Sequence, residues 1–151
     1  IRQGLRLGLL DVGIHGLTHC QTEGRVFLPK LFRGNRQFHR EFREELPYQW
    51  HYENLKRAKE ILEGFFGCEI PLFIPPGNHY GPKTERACAE LGIRLLNCRT
   101  PDRQLANLRI ISDQQVFPFH DKEIVELGLP WLEERLVELK SRGPFVFVRE
   151  L

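Results

Sequence analysis

Apolar positions along the chain follow two rhythms. Short apolar runs at residues 9–14, 70–74, 93–97, 108–112, 116–119 and 145–148 have the length of strands. Helical spacing appears between several of them. Leu55, Ala58, Leu62 and Phe65 recur every three or four residues with lysines and glutamates on the opposite face, and Gly67 stands where a left-handed cap closes a helix. A second helix is predicted over residues 84–91, closed by Gly92. A third carries Leu129, Leu132, Leu136 and Leu139 on one face, with Gly143 after it. Pro71 suits only the first positions of its strand, because it has no N–H to give a ladder. Strand and helix thus alternate, which predicts a parallel sheet or barrel rather than separate α and β layers.

Residues 20–51 break both rhythms. Gly24, Pro29, Gly34 and Pro47 interrupt the segment, yet Phe27, Phe32, Phe38, Phe42, Tyr48 and Trp50 are spread through it. A connection this long is usually a functional lid or holds short helices, and residues 37–45 can supply one. Its aromatic faces suit stacking on sugar rings, although packing against the domain body is the commoner use of any one of them.

Composition narrows the classes without choosing a function. The 151 residues suffice for one ordinary domain, and 41% hydrophobic with 28% charged residues is the balance of a globular protein rather than a disordered one. No run approaches the roughly 18 apolar residues of a membrane span. A net charge of +2, from 22 basic and 20 acidic residues, selects no nucleic acid. Cys20, Cys68, Cys88 and Cys98 lack Cys-x-x-Cys spacing and read as core thiols; Cys20, beside His19, has a second reading as a soft ligand or part of a site wall. The chain opens on Ile1, contains no methionine and shows no signal-peptide pattern, so it is expected to be an excerpt of a longer protein. Neither compartment nor oligomeric state is indicated.

Candidate chemistry collects where the predicted strands end. His15 and His19 follow the first run, four residues apart, and His120 follows the run at 116–119. The turn Pro75-Pro76-Gly77-Asn78 follows another. In α/β folds, ligand and catalytic groups gather at the carboxyl ends of strands. Two imidazoles four apart on a helical turn share a face and can converge on one ion, as in zinc sites of that spacing. Gly16 permits a sharp turn off the strand, and Thr18 is placed to hydrogen-bond nearby backbone. His39, His51 and His79 lack such context and read as ordinary polar residues, although His79 adjoins Asn78.

These segments together resemble the polysaccharide deacetylases of the nodulation-protein-B homology type, over nearly the whole chain. Asp11-Val12-Gly13-Ile14-His15-Gly16-Leu17-Thr18-His19 is similar to the family's histidine-pair motif, and Phe73-Ile74-Pro75-Pro76-Gly77-Asn78 to the segment that forms one wall of its groove. Val116-Phe117-Pro118-Phe119-His120-Asp121 resembles the closing motif, whose histidine is the catalytic acid. The resemblance implies an α/β fold, an incomplete or distorted (β/α) barrel, with residues 1–151 as a single catalytic-type domain forming the C-terminal three quarters of a longer one. It implies a divalent metal, commonly zinc, on His15 and His19, substrate contacts from Pro76, Gly77 and Asn78, and His120 as proton donor, with Asp113 or Asp121 to orient it. The implied substrate is an N-acetylated carbohydrate.

Two departures accompany the resemblance. The family's first motif carries an aspartate base and an aspartate ligand upstream of the histidine pair, and Asp11 occupies a strand position that does not match it. Ile74 stands where the family often has an arginine. A catalytically inactive carbohydrate-binding or scaffold module of the same fold is therefore the competing reading, with a metal-dependent amidohydrolase for a non-sugar amide as the third.

Overall fold

The computed structural model describes residues 1–20 and 39–150, and the chain divides into two compact units, Ile1–Ser112 and Asp113–Leu151. In the first unit a short helix α1 (Arg2–Arg6) is followed by α2 (Tyr48–Phe66), β1 (Leu72–Phe73), α3 (Pro82–Glu90), β2 (Leu95–Cys98), β3 (Arg103–Leu105) and β4 (Leu108–Ser112). The strands lie in the order β1-β2-β4-β3, with β1, β2 and β4 parallel and β3 antiparallel to β4. Among the described residues this sheet is open. The α/β class expected from the sequence stands, and no closure into a barrel is seen.

Register explains where the core sits. Phe73 pairs with Leu96 and Leu96 with Ile110, while Ile14 bridges to Phe73 in parallel, so four apolar residues form one row across the sheet. All four are fully buried. Laterally paired residues share a face of the pleat, so this row is a continuous apolar strip. Phe42 stands edge-on to Phe73 with ring centroids 5.0 Å apart, and Leu55 and Ala58 of α2 join the same cluster. Burying a side chain of this size contributes about 1.5–3 kcal/mol.

Several predicted elements form as the pattern requires. α2 covers the expected helical repeat and ends at Gly67, whose φ of 70° is left-handed and whose N–H donates to the Glu63 carbonyl at 2.7 Å. α3 is followed by Gly92, at φ 69°. β4 occupies residues 108–112 as expected.

Others are shorter or absent, for physical reasons. β1 is two residues long because Pro71 and Pro75 flank its segment and neither has an N–H for the ladder. The run at 9–14 pairs only through Ile14; Leu9 and Leu10 are exposed, and α1 precedes them. Residues 39–46 make turns rather than the expected helix, while residues 37 and 38 lie outside the described residues, as do Phe27, Phe32 and Phe38. Phe42, by contrast, packs in the core. β3 was not expected from its polar residues, and it pairs with β4 across a tight turn in which Ala106 has φ 44°.

In the second unit α4 (Asp121–Lys140) contains the predicted leucine face but is broken at Gly128, with φ 81° and ψ 166°, just before Pro130. Proline has no N–H to join the preceding turn, so the break falls where its ring would otherwise clash. Neither 116–119 nor 145–148 is a strand: Pro118 interrupts the first, and the second passes into a 3-10 turn at Val148–Glu150. Phe117 instead packs on Phe119 and Trp131.

The strip sets a stability test. Leu96→Ala is expected to lower unfolding free energy by about 2–5 kcal/mol, measured by urea denaturation, because it empties a central position. Ile61→Ala, at a position 52% exposed on α2, is expected to change it by less than about 0.5 kcal/mol.

Candidate metal centre

The histidine turn begins at the Ile14 bridge. Ile14 N–H donates to the Leu72 carbonyl and Ile74 N–H to the Ile14 carbonyl, both at 2.8 Å, so the residue before His15 is held on both sides. The chain then turns sharply at Gly16, where φ is 86°. His15 Nδ1 lies 2.8 Å from the Ile74 carbonyl oxygen. A carbonyl only accepts, so this contact places the proton on Nδ1 and leaves the Nε2 lone pair outward, the arrangement of a ligating imidazole with a backbone partner. His15 Nε2 and His19 Nε2 are 3.1 Å apart. Their meeting does not use a helical face, as the four-residue spacing had suggested: residues 16–19 form a non-helical bend, and His19 itself has φ 61°.

A buried carboxylate underlies this bend. Glu41 Oε2 accepts from the N–H groups of His19 at 2.6 Å, Thr18 at 3.1 Å and Leu17 at 3.2 Å, while Oε1 accepts from Leu17 at 2.9 Å and from Asn54 Nδ2 at 2.9 Å. Burial raises its pKa, and the backbone and Asn54 donors pull the other way without cancelling the rise. Thr18 donates its hydroxyl proton to the Cys20 carbonyl at 2.8 Å, as its position in the turn suggested. Cys20 itself is buried.

The Pro-Pro-Gly-Asn turn packs against the same bend. Pro75 and Pro76 are buried, Gly77 and Asn78 exposed. A Cβ placed on Gly16 would meet the Glu41 carboxylate and lie 3.1 Å from Pro76 Cγ; one placed on Gly77 would lie 3.0 Å from His39 Cγ. The Asn78 side-chain oxygen accepts the Arg99 N–H at 3.1 Å, tying this turn to the end of β2. His39 donates its N–H to the His19 carbonyl at 2.8 Å, and its ring centroid is 4.5 Å from that of His19. Of the four non-glycine residues with positive φ among those described, His19, His39 and Asn78 are all here. Such conformations persist only where surrounding structure imposes them, and they cluster at functional sites.

His120 belongs to the second unit, where it caps α4 and is exposed. Its N–H donates to Glu123 Oε2 at 2.8 Å, and its Nδ1 lies 3.4 Å from the same oxygen. The backbone N–H of His120 leads the interactions that hold the Glu123 carboxyl below its ordinary range. Glu123, rather than the expected Asp113 or Asp121, therefore stands beside this imidazole; Asp121 accepts the Lys122 N–H at 3.0 Å. Among the described residues, no group of three or more histidine, cysteine, aspartate and glutamate side chains is arranged to hold a metal ion. His15 and His19 stand as a pair.

A solved structure is similar to part of this chain. It is the BpsB deacetylase domain from Bordetella bronchiseptica, with a TM-score of 0.49 and 18% sequence identity over 66% of this chain. This chain spans 40% of the length of that structure. At such overlap and identity the likeness assigns no activity and no residue role. No family model matches the chain, and no curated protein does.

The sequence pointed to His15, His19 and the turn at Pro76, Gly77 and Asn78, and these are brought together. Glu41 and His39 went unrecognised. Glu41 lies in the run His39-Arg40-Glu41-Phe42-Arg43-Glu44-Glu45, where three glutamates look alike and only the fold decides which one turns inward. His39 is 20 residues beyond His19, so only the return of the chain places their rings together.

Glycine substitutions test the geometry. Gly16→Ala is expected to destabilise the protein by about 1–3 kcal/mol, since it combines a disfavoured φ with a Cβ directed at Glu41 and Pro76. Gly64→Ala, in α2 with open space around it, should stabilise by about 0.5–1 kcal/mol; thermal unfolding of the two variants reads the contrast.

Proposed function

We propose that the chain carries the histidine pair and substrate-facing turn of a divalent-metal-dependent N-deacetylase, acting on an acetylated amino sugar in a carbohydrate, with zinc as the metal. The open α/β sheet is read here as part of a distorted (β/α) barrel of the polysaccharide deacetylase type. The observation that carries the reading is the meeting of His15 Nε2 and His19 Nε2 at 3.1 Å, with the other nitrogen of His15 on the Ile74 carbonyl. Two nitrogens bound tetrahedrally at about 2.0–2.1 Å from zinc lie about 3.3–3.4 Å apart, so the pair needs only a small adjustment to serve as two ligands.

His15 and His19 hold the ion in this reading. When bound, it would polarise the amide carbonyl and lower the pKa of water. Pro76, Gly77 and Asn78 form the surface against which the acetamido group lies, and the Gly77 N–H is a donor for negative charge developing on the carbonyl oxygen. His120 donates the proton that the departing amine requires, a task suited to imidazole near neutral pH, with Glu123 to orient it.

Metal content and turnover test separate parts of this reading. The full-length natural protein should contain about one divalent ion per chain by elemental analysis, lost in the His15→Ala, His19→Ala double variant. Unchanged content in that variant removes both residues from the metal site. His120→Ala should slow acetate release from an N-acetylated oligosaccharide by about two orders of magnitude or more with metal retained; equal turnover removes it from the mechanism. Oligosaccharide binding without metal or turnover would mark the protein as a binding module of the same fold.

A further inference from the structure

Among the described residues, Glu41 is the one fully buried carboxylate, and the groups facing it belong to one turn. Three successive backbone N–H groups, from Leu17, Thr18 and His19, point at it. Successive N–H groups converging in this way make an anion-binding concavity, and here the anion is a side chain supplied from 22 residues beyond His19. The opposite side of Glu41 is anchored to the body of the unit. Asn54 of α2 donates to Oε1, Trp50 Nε1–H donates to the Glu41 carbonyl at 2.9 Å, and the next residue, Phe42, is buried in the core.

The shortest of these bonds, 2.6 Å, goes to His19 N–H, on the residue whose φ of 61° is disfavoured for any side chain other than glycine. The His19 ring there stands edge-on to that of His15, with centroids 4.9 Å apart. Gly16 conforms to the same requirement, because a Cβ there would enter the space of the Glu41 carboxylate. All the turn contacts of Glu41 are to backbone N–H groups, so it acts on the imidazoles through the chain that bears them. We infer that Glu41 is the positioning residue of the histidine pair: it transmits the rigidity of α2 and the core to the bend and thereby sets the separation of His15 Nε2 and His19 Nε2. The inference deepens the metal reading above and rests on it for its functional consequence, that metal affinity depends on a carboxylate outside the ligand set.

The test uses Glu41→Gln in the full-length protein, with two readouts. Nitrogen NMR of the histidine rings in metal-free protein reports the contact between His15 and His19, and titration with cobalt(II), followed by its visible spectrum, reports affinity and coordination. Glu41→Gln, still folded by circular dichroism, is expected to shift both ring signals and to weaken cobalt(II) binding at least about tenfold, with an altered spectrum, the range seen when a partner of ligand geometry is removed. Ring signals and cobalt(II) affinity both unchanged from the wild type would overturn the inference. Altered ring signals with no cobalt(II) binding even in the wild type would support the positioning role while defeating the metal reading, so the two fail separately. Should Glu41→Gln not fold, Asn54→Ala keeps the carboxylate and removes one of its anchors; shifted ring signals there support the inference, and unchanged signals overturn it.

Discussion

A carboxylate taken out of water must be given donors where it comes to rest, and Glu41 shows how far that requirement reaches. Burying an unpaired charge costs several kcal/mol even after the protein relaxes, and for a carboxylate with several N–H partners that cost is offset in part by bonds stronger than neutral ones. Glu41 has three backbone donors and one side-chain amide. To present those donors the chain at residues 16–19 must bend rather than continue as a strand or helix, Gly16 must lack a side chain, and His19 must accept a left-handed conformation. The Glu41 carbonyl accepts from Trp50 Nε1–H, and the neighbouring Phe42 enters the core against Phe73. Polar satisfaction and apolar packing thus meet at residues 41 and 42.

The bend is equally dependent on the sheet beneath it. Ile14 bridges to Phe73 at the head of the row that continues through Leu96 and Ile110, so the base of the histidine turn is an extension of the sheet core. Prolines on either side of β1 end its pairing early and release the chain into the turn at residues 75–78, which packs beside Gly16 and His39. The carbonyl left by that short strand, at Ile74, then serves the His15 ring instead of a ladder. A strand cut short by proline is in this way part of the site's construction.

How much of this was legible follows from the range of the forces involved. α2 with its Gly67 cap, α3 and β4 follow from local pattern, because periodicity and a left-handed glycine act within one or two turns of chain. The association of His15, His19 and the Pro75–Asn78 segment was legible from their placement after apolar runs. The runs at 116–119 and 145–148 read as strands because apolar content alone cannot tell a strand from an apolar loop; a strand also needs a partner with matching N–H and C=O groups. β3 shows the converse, since polar Arg103 and Gln104 become a strand only because β4 offers them an edge. The helical interpretation of the histidine spacing failed for a related reason: four residues bring side chains together on a helix, but a left-handed bend does so as well.

Local pattern in the chain was enough for the class of fold, the positions of the strongest helices, and the candidate residues His15, His19, Pro76, Gly77, Asn78 and His120. These depend on composition, periodicity and the stereochemistry of glycine and proline, which are properties of short stretches. Contacts between distant segments were needed to make the sheet open among the described residues, to bring the imidazoles together through a non-helical bend, and to bury Glu41 rather than Glu44 or Glu45 beneath them. The physical reason is that burial and hydrogen-bond satisfaction are settled between segments far apart in sequence, so a glutamate among other glutamates acquires its role only when three N–H groups from another part of the chain are brought to it.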